Sequence, residues 1–254
     1  MIQKMNKVLV FDVWGDYAHF RRFYTTTSPL SFPIPPRTAL CGLIGAIVGL
    51  EKEGNDYLNY FSSEDACIAL KLLNPIKKTV IAENLIHTKS ARGPGMNLIT
   101  ERTQIRFEFL KDQKYRLYFH CPDEDNVVYQ KLKQNITFHK TVYTPSLGLS
   151  ENIANFKLEG EFEFNILSGG DEYISIDTVL PLRKITEKEG IMFEREGEYF
   201  SIRMPLELNT ERVVTKYGDI IFDRNCRPIR AKLIEPYVNI NYADGRRENI
   251  VFME

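Results

Sequence analysis

Phe20-Arg-Arg-Phe-Tyr-Thr-Thr-Thr-Ser-Pro-Leu-Ser-Phe-Pro-Ile-Pro-Pro-Arg-Thr-Ala-Leu-Cys-Gly-Leu-Ile-Gly-Ala-Ile-Val-Gly-Leu50 joins a basic, aromatic, hydroxyl-rich loop to a glycine-studded apolar helix. Pro35-Pro36 cannot continue a strand ladder but suits a helix entrance, so the stretch predicts a helix from about Arg37 to Leu50. Gly42, Gly45 with Ala46, and Gly49 fall at three- and four-residue spacing and share one face. Each glycine costs about 1 kcal/mol of helix propensity, so that face is expected to pack tightly against a sheet or a neighbouring backbone. Upstream, Val8-Leu-Val-Phe-Asp-Val-Trp14 is β-branched and aromatic with apolar residues on both faces, which reads as a central strand. The segment from Tyr17 to Pro36 is long for a loop in a compact domain, and such loops are usually functional or disordered. Its aromatics argue for order, with Phe20, Phe23 and Phe32 expected to anchor it in the core.

The chemistry of this loop suits RNA. Arg21 and Arg22 offer planar, bidentate donors to phosphate oxygens, and Tyr24 can stack on an unpaired base or hydrogen-bond a 2′-hydroxyl. Thr25, Thr26, Thr27 and Ser28 add neutral donors. One base stacked on an aromatic ring contributes about 1–3 kcal/mol, so a few such contacts with phosphate pairing give useful affinity. Arg37 stands at the helix start, where it either holds an anion near the free N–H groups or pairs with a nearby acid.

Downstream, residues 56–73 read as a helix with Tyr57, Leu58, Phe61, Ala66, Ile68, Ala69 and Leu72 inward. Thr79 to Ile86 and Thr103 to Leu110 read as strands. Between them lies a basic projection, His87 to Arg102, with a Gly-Pro-Gly tip. Its Lys89, Arg92 and Arg102 can meet phosphate, and Met96 can wedge beside a base. Asp112-Gln113 is expected to turn the chain into a further strand, Tyr115 to Cys121, making a hairpin. The acids after Pro122 open a helix that continues through Val127 to Lys133. The order β, α, paired strands, α predicts an α+β, ferredoxin-like domain over 1–150, closed by Tyr143-Thr-Pro-Ser-Leu-Gly148. Short alternating runs at Lys157–Phe164, Tyr173–Val179, Tyr199–Met204 and Val238–Tyr242 suggest a β-rich C-terminal extension over 151–254.

Composition narrows the function classes. The 254 residues, 43% hydrophobic, suffice for a well-buried core. Cys41, Cys67, Cys121 and Cys226 are far apart and lack the spacing of a zinc site, so they read as reduced thiols of a cytoplasmic protein with no metal. The N-terminus has no apolar stretch of the secretory kind. The apolar run Ala39 to Leu50 has 12 residues, short of the roughly 17 to 25 that span a bilayer, so no membrane is expected. Net charge is −1, yet residues 1–150 carry 19 Lys and Arg against 14 Asp and Glu, while residues 151–254 carry 14 against 20. Segment 17–40 has three arginines and no acid, a local basic face that either binds phosphate or simply solvates the loop. Support for catalysis is thin: His19 or His87 with Tyr24 and Lys89 would be the acid–base set of a metal-independent ribonuclease, and His120 reads as a satisfied core residue. No nucleotide-binding loop, metalloprotease motif or nucleophile elbow is present.

Phe11-Asp-Val-Trp-Gly15, Phe20 through Thr27, Ser28-Pro29 leading into Pro35-Pro-Arg-Thr-Ala-Leu-Cys-Gly-Leu-Ile-Gly-Ala46, and Tyr143-Thr-Pro-Ser-Leu-Gly-Leu-Ser-Glu151 resemble the fifth family of CRISPR-associated proteins, the RAMP-type subunit of type I Cascade complexes. The triple-threonine version looks most like the type I-B branch, and the likeness weakens beyond residue 155. It implies a ferredoxin-like (RRM/RAMP) fold with an inserted β-hairpin thumb near 87–102. It further implies a role in binding the 5′ handle of the crRNA and capping one end of an antiviral effector. Arg21, Arg22, Tyr24 and the hydroxyls to Ser28 would lie by the handle. The backbone RAMP subunit and the large subunit would be neighbours, target DNA would be met only through guide pairing, and no cofactor is implied. A type I-C branch cleaves precursor crRNA with a tyrosine and an adjacent Lys-His pair. Here His139-Lys140 has the reverse order, so the expectation is a non-catalytic subunit, with an endoribonuclease as the alternative.

Overall fold

The computed structural model describes residues 6–25, 28–86, 101–123 and 125–254. Its first elements are β1 (Lys7–Ala18), α1 (Arg37–Val48), β2 (Cys67–Leu72), β3 (Lys77–Ile86), β4 (Arg102–His120), α2 (Val127–Thr137) and β5 (Asn155–Leu167). After β5 come β6 (Ile174–Ile176), β7 (Leu180–Pro181), β8 (Ile191–Met192), β9 (Tyr199–Leu208), β10 (Val214–Asp223), β11 (Ile229–Ala231), β12 (Tyr237–Asn241) and β13 (Arg247–Ile250).

The central strand is β1, because its residues from Val8 to Val13 are buried on both faces. Leu9, Phe11 and Val13 turn to one face with Ile68 and Leu70 of β2 and Tyr115, Leu117 and Phe119 of β4. Leu40, Ile44 and Ile47 of α1 and Val128, Tyr129, Leu132 and Ile136 of α2 cover that face. Val8, Val10, Ala69 and Tyr118 turn to the other, where Tyr242 and Ile250 close over them. The strand order is β5-β1-β4-β2, all antiparallel, with α1 between β1 and β2 in sequence and α2 between β4 and β5. This is the βαββαβ ferredoxin-like arrangement, as the sequence predicts. The outer edge of β2 is capped where Val179 N–H donates to Leu70 and Met253 N–H to Ile68, which removes a free pairing edge.

An inserted hairpin interrupts the pattern. β3 pairs with the first half of β4 from Lys77↔Lys111 to Ile86↔Arg102, whereas β1 pairs with β4 only from Leu110 to Phe119. The ribbon therefore runs on beyond the sheet, and the projection at 87–100 between its strands lies outside the described residues. Among the described residues no helix is long and apolar enough to cross a membrane.

Several expectations need correction. Residues 56–73 are not one helix: a 3-10 helix covers Glu53–Phe61 and β2 begins at Cys67. Ile68, Ala69 and Leu70 are all fully buried, and a strand buried on both faces loses its alternation, so helix-like spacings arise by coincidence. Asp112 does not close a hairpin; it takes φ 53° inside the continuous β4, a left-handed conformation that Asp tolerates better than most residues. The small face of α1 meets a neighbouring backbone only in part, where Tyr143 N–H donates to Ala46 O at 3.0 Å. A Cβ at Gly42 would meet nothing within 4 Å, and that face lines an open cleft of about 590 Å³ with Tyr57 and Tyr143. Gly49 has a different cause, ending α1 at φ 85°, where glycine avoids the Cβ penalty. Position 150 is no break in the packing either. β5 pairs with β1 from Lys7 to Trp14, β12 and β13 extend the same sheet, and Met204, Leu206, Ile220 and Met253 enter the core around α1.

Candidate nucleic-acid interface

The loop after β1 is built as a short, irregular ribbon. Phe32 N–H donates to Phe20 O at 2.7 Å, Arg22 N–H to Leu30 O at 2.9 Å, and His19 N–H to Leu147 O at 3.0 Å. Phe20 N–H donates to Ser31 Oγ at 3.0 Å, and Glu108 of β4 accepts from Ser31 N–H at 3.2 Å. Alternation across this ribbon sends Phe20 and Phe32 into the core. Arg21, Phe23 and Tyr24 face solvent. The loop anchors are thus Phe20 and Phe32; Phe23, expected as a third, is 64% exposed.

Each loop side chain then has a definite placement. Arg22 Nη1 donates to Tyr24 Oη at 3.0 Å and its guanidinium lies 6.0 Å from the Tyr24 ring centre, a cation–π arrangement. Its Nε is held by Ser31 O at 3.1 Å. Arg21 Nη2 donates to Thr25 O at 3.1 Å. The Thr25 hydroxyl donates to Arg22 O at 2.9 Å, so it shapes the turn, and Ser28 is exposed. Thr26 and Thr27, with Lys89, Arg92 and Met96 of the projection, lie outside the described residues. Arg102 is exposed at the far end of the hairpin stem, opposite Ile86.

Arg37 is corrected. It is 1% exposed, with Nε 2.6 Å from Glu254 Oε1, and its other N–H groups donate to the carbonyls of Phe61, Leu206, Ser62 and Ala66. All five guanidinium donors are satisfied inside the protein, leaving none for a phosphate. Of the two readings open in the sequence, pairing with an acid is the one present.

The three described histidines, His19, His120 and His139, are placed as structural groups. His19 is 1% exposed, its Nδ1 lies 2.7 Å from Glu108 O, and Phe107 and Phe109 crowd its ring at 5.6 Å each. Its burial keeps it from a substrate hydroxyl. His120 Nδ1 lies 2.8 Å from Lys7 O, the satisfied core role expected of it. His139 stacks on Phe156 at 4.6 Å, and His87 lies outside the described residues.

Beside the loop opens a groove of about 750 Å³, to which the loop contributes Arg22, Phe23 and Tyr24, β3 contributes Lys78, and β9 and β10 contribute Phe200, Arg203 and Tyr217. Phe23 meets the Tyr217 ring at 5.9 Å. Sequence reasoning does not single out the β9 and β10 residues. Their signal is an exposed aromatic or cation within an alternating strand, but no local pattern says that those positions face a loop about 180 residues earlier.

The family described as CRISPR-associated protein (Cas_Cas5) matches residues 8–218. The fold is similar to that of a CRISPR protein from Archaeoglobus fulgidus, at 17% identity, with 96% of this chain and 98% of that chain covered and a TM-score of 0.52. A chain of a CRISPR RNA-guided surveillance complex is also similar, at 11% identity, with 88% and 91% covered and a TM-score of 0.51. No curated protein matches the chain.

Proposed function

The chain belongs to the CRISPR-associated Cas5 family, and from that premise we propose that it is a non-catalytic, RNA-binding subunit of a type I CRISPR effector. In this reading it holds the 5′ handle of the crRNA and caps the complex. The observation that carries the reading is the outward pairing of Arg22 with Tyr24 on the loop after β1. It offers a cation and an open ring together, the two groups that a phosphate and an unpaired base require. Arg21 and Ser28 extend this surface, and the β3–β4 hairpin stands beside it, where Lys78 contributes to the same groove. The fold likeness to a chain of an RNA-guided surveillance complex agrees with membership of an effector.

In such an assembly the backbone RAMP subunit and the large subunit are the protein neighbours. Guide pairing reads target DNA, so this chain needs no base-edge code of its own. The absence of catalysis is supported by His19, which is buried between two phenylalanine rings instead of meeting the loop surface.

The test is made on the assembled complex. Handle-containing crRNA is titrated against wild-type complex and against Arg21→Ala/Arg22→Ala complex, followed by fluorescence anisotropy. The double variant is expected to bind about tenfold or more weakly, and equal affinities reject the loop assignment. Incubating the purified chain in excess with precursor crRNA in EDTA is expected to leave the RNA intact. A specific cleavage product would replace this reading with the endoribonuclease.

A further inference from the structure

Five aromatic rings line the groove beside the loop: Phe23 and Tyr24 from the loop, Phe200 from β9, and Tyr217 and Phe222 from β10. Phe200 stacks on Phe222 at 6.2 Å with only 18° between the planes, yet stays 48% exposed. One side of its ring is therefore fixed to the fold while the ring still reaches solvent. Tyr217 is 39% exposed and carries the Arg203 guanidinium 5.5 Å from its ring centre. Contiguous exposed rings of this kind mark interaction surfaces, because leaving them in water forgoes hydrophobic stabilisation.

The charge around the rings selects the occupant. The groove lining contains four cations, Arg22, Lys78, Arg203 and Arg224, and no carboxylate. Lys78 pairs with Glu108 and Arg224 with Glu198, but Arg22 and Arg203 form no ion pair among the described residues. An apolar protein side chain would fill the rings and leave these charges unanswered. A nucleotide answers both, with a π face for the rings and phosphates for the guanidiniums.

We infer that this groove receives an unpaired base of single-stranded RNA, stacked on the open ring of Phe200 between the loop and β10, with Arg203 and Arg22 on the adjoining phosphates. The inference rests on the RNA-binding reading and adds a base site built from the acidic half of the chain. That half nonetheless turns Arg203 and Arg224 to the groove. Stacking uses the face common to all bases, so the site tolerates sequence.

The experiment uses the full chain and two fluorescein-labelled probes of about 12 units, oligoadenylate and an abasic sugar–phosphate chain of equal charge. Wild type is expected to prefer oligoadenylate by about tenfold. Phe200→Leu, which keeps apolar contact with Phe222, and Tyr217→Ala are each expected to abolish most of that preference while leaving abasic binding within about twofold. Arg21→Ala/Arg22→Ala is expected to weaken both probes. Fluorescence of 2-aminopurine placed within the oligoadenylate is expected to be quenched by wild type and not by Phe200→Leu. If both groove variants keep the full base preference while the arginine variant loses affinity, the groove inference falls and the RNA-binding reading stands. If wild type binds neither probe, the groove inference falls, and the RNA-binding reading stands or falls with the handle titration on the assembled complex. Unchanged RNA binding with failure of the groove variants to enter the assembled complex assigns the groove to a protein neighbour, which also overturns the inference.

Discussion

Arg37 at the head of α1 and Glu254 at the far end of the sequence meet in the core, with Nε and Oε1 2.6 Å apart and side-chain exposures of 1% and 9%. Glu254 Oε1 also accepts from Ile68 N–H at 2.8 Å. The pair therefore ties the helix, strand β2 and residue 254 into one unit, and the remaining guanidinium donors pin the carbonyls of Phe61, Ser62, Ala66 and Leu206.

Removing one partner leaves the other charged and buried, so Arg37→Met is expected to lower unfolding free energy by about 3–5 kcal/mol. Urea denaturation followed by circular dichroism measures it. Unaltered stability with a loss of RNA affinity would return Arg37 to the binding surface.

Arg22 is expected to act through phosphate. Arg22→Ala should weaken binding of unrelated single-stranded RNAs to a similar degree and make the slope of log K against log salt shallower by about 1. Titrations at three salt concentrations decide it, and an unchanged slope counts against a phosphate partner for this side chain.

Gly148 sits at φ 96°, and a Cβ there would fall 1.9 Å from the carbonyl oxygen of His19. Gly148→Ala must push the base of the loop aside, at a cost of about 1–3 kcal/mol. Thermal melting gives the stability loss. RNA affinity is expected to fall with it, because Leu147 O holds His19 N–H at the loop's root; full affinity in a destabilised variant would separate the two.

Glu248 supplies the pH dependence. Burial raises its carboxyl pKa, but hydrogen bonds from Lys71, Tyr242 and Tyr118 outweigh it and hold the value below 4.5. A folded-state pKa below the unfolded one stabilises the protein fully above about pH 4.5 and is lost as pH falls through the depressed value. Lys71, whose pKa is raised despite burial by Glu248 and Asp177, contributes below its unfolded value and loses that contribution only at high pH. Melting temperatures from pH 7 to pH 3 are therefore expected to drop more steeply for wild type than for Glu248→Gln, and parallel curves would reject the coupling.

The thiols should be silent in the folded state. Burial pushes Cys41 and Cys67 up to about 12 and Cys226 up to about 11, so almost no thiolate is present at pH 8. A chromogenic disulfide reagent is expected to titrate four thiols in denaturant and few or none without it; rapid native reaction of Cys226 would show its environment to be more open.

Local chemistry makes much of the fold legible. Val8 to Trp14 reads as a strand because apolar side chains on both faces suit a doubly covered sheet. Pro35-Pro36 marks the entrance of α1 because its missing N–H groups cost nothing there. The same double burial misleads the reading of 56–73, where Ile68, Ala69 and Leu70 imitate helical spacing. In the loop, Arg21, Arg22 and Tyr24 are legible because residue type alone suggests their chemistry. Phe23 is misread because inward and outward phenylalanines look alike until pairing across the ribbon fixes which face each takes.

The strand–loop–helix opening, the ferredoxin-like order and a cationic, aromatic loop can all be read from the amino acids alone, since these follow from propensity, periodicity and side-chain chemistry within a few residues. It took the folded chain to show that Arg37 is consumed by Glu254, that β5, β12 and β13 join the main sheet, and that Phe200, Arg203 and Tyr217 face the loop. The physical reason is range. Backbone preferences act between near neighbours, whereas the partner of a buried charge and the walls of a groove are chosen by packing between segments far apart in the chain.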